Sequence, residues 1–282
     1  MSELNDQQTE IFNKYLAGEN IFITGPGGTG KTHLIKAIVA HAKENDKAYK
    51  ICALTGCAAI LLQCGASTLH AFAGIGLATG TITQVVDRVV KNRHKRPNWQ
   101  KTEILIVDEV SMLSLKLFII LDLIAKRIKK QRTIPFGGIQ IIFAGDFYQL
   151  PPVGDEAEPE TMQFCFESPL WNETFPLKNQ IELQTIFRQT DNKYAKILNK
   201  LRVGKITNGA IAALEACVGK ETDNEVFPTI LLPRRRDADA LNSREIALLD
   251  KETEKSYKIK PVAEEELPLS KDQLQNLSLF TE

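Results

Sequence analysis

The stretch "NIFITGPGGTGKTHLIKAIVA", residues 20–40, passes from an apolar strand through a glycine-rich turn into an amphipathic helix. Residues 25–32 fill G-x-x-x-x-G-K-[ST] completely, with Gly25, Pro26, Gly27, Gly28, Thr29, Gly30, Lys31 and Thr32 each in place. Glycines let backbone N–H groups converge on phosphate oxygens, and the helix that follows adds positive potential at its N-terminus. Lys31 can reach the β- and γ-phosphates, and the Thr32 hydroxyl can ligate Mg²⁺. An ordinary glycine-rich turn would explain the glycines but not the Lys-Thr pair at the head of a helix. The loop predicts nucleotide binding without choosing among kinases, motors and switches.

Working outward, "YKICAL" (49–54), "ILIV" (104–107) and "IQIIFA" (139–144) are near-continuous apolar runs. Such runs suit parallel strands covered on both faces. Ile11, Phe12, Tyr15 and Leu16 share one helical face, as do Leu117, Leu121, Ile124 and Ile128. The second of these helices ends in "KRIKK", where cations suit the C-terminus. Alternating strands and helices predict an α/β sheet with right-handed crossovers. Residues 74–101 break the alternation and read as an insertion projecting from the sheet. Beyond residue 180 a helix over 191–203, a strand "TILLP" (229–233), a helix over 237–250 and a strand "KSYKIK" (255–260) suggest the start of a second α/β domain.

"ILIVDEVSML" (104–113) places Asp108 and Glu109 at the carboxyl end of an apolar strand, where open α/β sheets bind ligands. Asp108 is placed to hold Mg²⁺, and Glu109 to orient and deprotonate an attacking water, which implies hydrolysis. The alternative, an N-cap pair for a helix beginning near Ser111, would not require Glu109. "IIFAGDFYQLPPV" again ends a strand in polar groups, and its Gln149 is placed to sense a γ-phosphate. "LQTIFRQTD" puts Arg188 where it could act as an arginine finger. Singly, Gln149 could be a surface amide and Arg188 a salt-bridge partner.

Together with "LNDQQ", "ALTGCAAILL…GASTLHAFAGIG" and "LNKLRVGKIT", these motifs stand in the order of a known family. The chain resembles the Pif-type, RecD-like superfamily 1B DNA helicases from Leu4 to about Lys260. The resemblance implies a P-loop NTPase of RecA-like α/β fold, a parallel sheet with helices on both faces. It places a first RecA-like domain at 1–178, a small wedge element at 74–101 and the beginning of a second RecA-like domain at 179–282. It implies ATP and Mg²⁺ as cofactors, Gln8 as adenine reader, and Gln149 and Arg188 at the γ-phosphate. By the same resemblance Thr55, Gly56, Thr68, His70 and Phe72 contact DNA, and the basic run Lys91, Arg93, Lys95 and Arg96 meets nucleic acid. Hydroxyls and backbone N–H suit phosphates, and rings suit stacking on bases. A buried His70 and a core Phe72 are the structural alternatives. Leu54 stands where the family commonly has proline. Two later family motifs, a GxT-type segment and an SR segment, do not occur before Glu282, so the chain is expected to be a fragment. The implied activity is ATP-driven 5′-to-3′ movement on single-stranded or forked DNA by a monomer. The rivals are a nucleic-acid-binding module without motor action and a small-molecule P-loop phosphotransferase.

The 35 basic and 35 acidic residues balance, so global charge favours no partner. Locally, 88–101 is strongly basic, which fits a polyanion or a solvated face. Five scattered cysteines form no CxxC or zinc-like spacing, as expected of reduced thiols in an intracellular protein: nuclear or mitochondrial in a eukaryote, cytoplasmic otherwise. The N-terminus reads as neither signal segment nor presequence. No apolar run approaches the length that spans a bilayer.

Overall fold

The computed structural model describes residues 4–220 and 229–248. Its elements are α1 (Asp6–Leu16), β1 (Ile21–Thr24), α2 (Lys31–Glu44), β2 (Tyr49–Ala53), α3 (Gly56–Leu62), β3 (Ser67–Thr68), α4 (Leu69–Ala73), α5 (Ile82–Lys91) and α6 (Arg96–Lys101). There follow β4 (Ile104–Asp108), α7 (Leu115–Lys129), β5 (Gln140–Ala144), α8 (Leu170–Thr174), β6 (Gln180–Glu182), α9 (Asn192–Arg202), α10 (Asn208–Glu215) and α11 (Arg235–Ile246). The chain divides into two compact units, Met1–Val218 and Gly219–Glu282.

In the first unit six parallel strands lie in the order β3-β2-β4-β5-β1-β6. Successive strand residues face opposite sides, which makes two cores. Phe22, Leu105, Val107, Ile141 and Phe143 face one way, onto α7, α8 and residues 69–99. Ile21, Ile23, Ile104, Ile106 and Ile142 face the other, onto α1 and α2. All four apolar runs read as strands are strands, and both faces are covered, as near-continuous apolarity requires.

Four expectations need correction. Residues 74–101 do not project from the sheet. Val85, Val86, Val89 and Trp99 are wholly buried in the first core. The Trp99 indole N–H donates to the Ala73 carbonyl at 3.2 Å, and Asp87 pairs with Arg127 of α7. Val85, Val86 and Val89, with half-buried Val90, are the apolar face of α5, and burial on α7 is what that face is for. The expected boundary at 178/179 falls inside the first unit, because β6 pairs in parallel with β1. Residues 229–233 carry no strand, while α11 falls within the helix expected over 237–250 apart from an earlier start; 255–260 lie outside the described residues. The helix after the acid pair begins later than Ser111. Ser114 caps α7, its hydroxyl accepting from the Leu117 N–H at 3.3 Å, and Ser111 sits in a buried 3₁₀ turn. Among the described residues no helix is long and apolar enough to cross a membrane.

Candidate functional site

Strands β1, β5 and β4 are neighbours and parallel, so their carboxyl ends lie side by side. β1 delivers the loop at 25–30, β5 delivers Gly145 and Asp146, and β4 delivers Asp108 and Glu109. Topology alone thus gathers Lys31 and three carboxylates at one rim.

Gly30 adopts φ 85° and ends the loop at the head of α2 without a side-chain cap, leaving helix N–H groups turned to the loop. Lys31 lies folded back, its Nζ donating to the carbonyls of Gly25 at 2.6 Å and Pro26 at 3.1 Å. Burial holds this ammonium below its usual range, while Asp146, Asp108 and Glu109 pull it back up. Gly28 has φ 85°, and a Cβ there would stand 2.5 Å from the Cβ of Arg188. Glycine therefore lets residues 187–189 close over the loop, where the Phe187 N–H donates to the Gly28 carbonyl at 2.8 Å. Gln8 is buried; its Nε2 reaches the Gly30 carbonyl at 3.3 Å while its Oε1 accepts from the Asn5 N–H in a capping box.

Asp108 is 6% exposed and accepts a hydrogen bond from the Glu109 N–H at 3.0 Å. Burial and the neighbouring Glu109 charge push its carboxyl up to about 6, against weaker pulls downward from that N–H and from Lys31. A carboxylate so destabilised is a ready partner for a cation. Glu109 has φ 59° and ψ 40°, a left-handed conformation that costs a non-glycine residue about 1 kcal/mol or more. The turn fits beneath Gly145, where a Cβ would come within 2.8 Å of the Val110 nitrogen.

Asp146 is the contrast. Arg202, at the end of α9, donates from Nε to Oδ2 at 2.8 Å and from Nη2 to Oδ1 at 2.9 Å. Gln149 Nε2 donates to Oδ2 and the Tyr148 N–H to Oδ1, both at 3.2 Å. Burial pushes this carboxyl up, but the hydrogen bonds from Arg202, Gln149 and Tyr148 outweigh it and hold it below the usual range. A cleft lined by Pro26, Gly27, Asp146, Tyr148, Gln149, Gln189 and Arg202 runs between the loop and α9.

The structure therefore brings together Lys31, Asp108, Glu109 and Gln149, and sets the exposed Arg188 beside the loop. Thr32 is exposed at the start of α2. The donor set fits a nucleotide with a divalent cation: an open hydroxyl, an under-compensated carboxylate and a lysine share one rim. The sequence reading missed Arg202 and its second acceptor, Glu182, at 3.2 Å. The only signal was an arginine at the end of an amphipathic helix, which by itself says nothing of its partner.

The second candidate group lies along the same edge, after β2 and β3. Thr55 and Thr68 cap α3 and α4, accepting from the N–H groups of Ala58 and Ala71 at 3.2 and 3.3 Å. Gly56 is exposed, and His70 is half-buried, with burial holding it below its usual range and so neutral at pH 7. Phe72 is not an available platform: it is 4% exposed and packs on Trp99 with centroids 5.0 Å apart. Lys91, Arg93 and Arg96 are exposed, whereas Lys95 is half-buried and donates to the Ala71 carbonyl at 3.2 Å.

Comparison with known proteins agrees with this architecture. The model of the PIF1-like helicase family matches residues 3–211. The ATP-dependent DNA helicase RRM3 of Saccharomyces cerevisiae is 37% identical over 234 residues, covering 82% of this chain and 32% of the relative. Human ATP-dependent DNA helicase PIF1 is 33% identical over 245 residues, covering 86% and 37%. The crystal structure of Pif1 from Candida albicans superposes with TM-score 0.80 at 34% identity, over 89% of this chain and 56% of that one. Pif1 from Bacteroides in complex with ADP-AlF3 and ssDNA superposes with TM-score 0.74 at 29% identity, over 89% and 58%. The chain spans about a third of the length of the two curated relatives named here. With the family model matched over most of its length, on a sheet whose strand ends gather the family's motifs, the chain belongs to the PIF1-like helicases.

Proposed function

We propose that this chain carries the ATP-hydrolysing site of a DNA helicase that moves 5′ to 3′ on single-stranded DNA. The observation that carries the reading is the convergence of Lys31, Asp108 and Glu109 at adjoining strand ends, with burial and Glu109 raising the Asp108 carboxyl. In this reading Lys31 leaves the Gly25 and Pro26 carbonyls to pair with phosphate oxygens, and the loop amides hold the rest. Thr32 and Asp108 hold Mg²⁺, which would offset charge on the terminal phosphate. Glu109 orients a water and takes its proton; Gln149 faces the γ-phosphate; Arg188 supplies positive charge as a finger. Gln8, whose amide also donates to the Gly30 carbonyl, reads adenine. DNA backbone would pass Thr55, Gly56, Thr68 and His70, with Lys91, Arg93 and Arg96 adding charge. The ADP-AlF3 and ssDNA complex of the Bacteroides relative supports both ligands.

The test is ATP turnover with and without single-stranded DNA. Stimulation by DNA is expected. Glu109→Gln is expected to keep ATP binding and to lose about 10²–10⁴-fold in hydrolysis, the scale of a lost general base. Near-normal turnover in that variant would remove Glu109 from its role. DNA binding with no turnover in either protein would favour a binding module.

A further inference from the structure

Arg202 is only 15% exposed in its side chain, yet it meets three groups at once. Its fork covers both oxygens of Asp146, its Nη1 reaches Glu182 at 3.2 Å, and its guanidinium lies 4.6 Å from the centre of the Tyr148 ring. Tyr148 and Gln149 belong to the turn after β5, and Gln149 itself is exposed on the cleft beside Pro26 and Gly27. The oxygen of Asp146 that receives the Arg202 Nε also receives the Gln149 amide. A planar guanidinium fixes the plane of a carboxylate, which an ammonium cannot do. The chain of contacts therefore runs from α9 through Arg202 and Asp146 to the amide of Gln149. We propose that Arg202 is a positioning residue that aims Gln149 at the terminal phosphate and couples α9 to the presence of that phosphate. The proposal rests on the cleft being the ATP site. It differs from a plain structural latch in one respect: loss of Arg202 should erase discrimination between triphosphate and diphosphate, and not merely stability.

The experiment titrates the full chain with Mg²⁺ and either AMP-PNP or ADP, using wild type, Q149A, R202A, R202K and the Q149A/R202A double variant. Wild type is expected to prefer AMP-PNP. Q149A and R202A should each cut that preference about tenfold, the scale of one charge-assisted contact. The double variant should lose no more than Q149A alone, because both changes remove the same contact. R202K should follow R202A, since its charge remains while the two-oxygen grip does not; it also serves if R202A fails to fold. A wild-type preference retained in R202A or R202K would overturn the proposal while leaving the ATP site intact. So would equal losses for both nucleotides, or losses that multiply in the double variant. Preference retained in Q149A would overturn the sensing role and the proposal together. No nucleotide binding by wild type would overturn the site itself.

Discussion

Asp108 ends β4 and Asp146 lies just past the neighbouring β5, both nearly excluded from solvent, and their electrostatic states are opposite. Asp146 is saturated by Arg202, Gln149 and Tyr148, and sits below the usual carboxylate range. Asp108 has one backbone N–H and a repelling neighbour, and is pushed up to about 6. The same rim thus holds one carboxylate tied into the architecture and one whose ionised form is disfavoured. Burial is common to both; the difference lies in the partners. A fold can keep an acid so raised only where the rest of it is stable enough to bear the cost.

The comparison breaks first at Asp146. Asp146→Asn is expected to destabilise the protein by about 3 kcal/mol at pH 7, because it leaves a largely buried guanidinium without its main counter-charge. The low end of the usual range applies, since Arg202 keeps Glu182 and the Tyr148 ring. As the folded-state carboxyl is depressed, its contribution is present above the ordinary carboxylate range and is lost as pH falls through the lowered value. Denaturant melts should therefore show the gap between wild type and variant closing in acid.

Asp108→Asn should do the reverse. The folded carboxyl is raised from 3.8 to about 6, so the folded state binds more protons across that interval and stability falls as pH rises through it. Above the interval the ionised form costs on the order of 3 kcal/mol. The asparagine can still accept from the Glu109 N–H, so without ligand it should be about 2–3 kcal/mol more stable than wild type at pH 7 and equal to it near pH 4. Thermal melts at the two pH values read this directly. A variant less stable than wild type at pH 7 would mean that Asp108 already has a partner.

A smaller change probes what joins the two strand ends. Gly145→Ala would put a Cβ 2.8 Å from the Val110 nitrogen, crowding the turn that carries Glu109. The expected cost is about 1–3 kcal/mol in stability, from overpacking against backbone. Turnover should fall with Mg²⁺-nucleotide affinity little changed, because Glu109 is displaced and the loop at 25–32 is not. Equal loss of both would show that the turn shapes the nucleotide site as a whole.

Much of this rim was legible in the sequence, because the loop and the acid pair depend on local order. A strand, a turn and a helix follow one another within residues 20–40, and Asp108 follows its own apolar run. What was not legible depends on partners distant in the chain. The Arg202–Asp146 pair joins residues 56 apart, and nothing at either position names the other. β6 is three residues long and unremarkable in composition, so its place beside β1 and the extension of the first unit past residue 178 came only from pairing. Phe72 illustrates a different failure. Leu69, Phe72 and Ala73 share a helical face, which is a core pattern, but the motif around them drew the ring toward DNA. Residues 74–101 failed similarly: the valine face of α5 was visible, and its burial on α7 is the simplest use of it.

The most direct measurement is a carboxyl-carbon NMR titration of the aspartates, without ligand and with Mg²⁺ and ADP. Asp108 should titrate near 6 without ligand and drop below the ordinary carboxylate range once Mg²⁺ and nucleotide are bound, while Asp146 stays low throughout. An Asp108 that titrates normally without ligand, or that Mg²⁺ and ADP leave unmoved, would contradict its assignment as the carboxylate held for the cation.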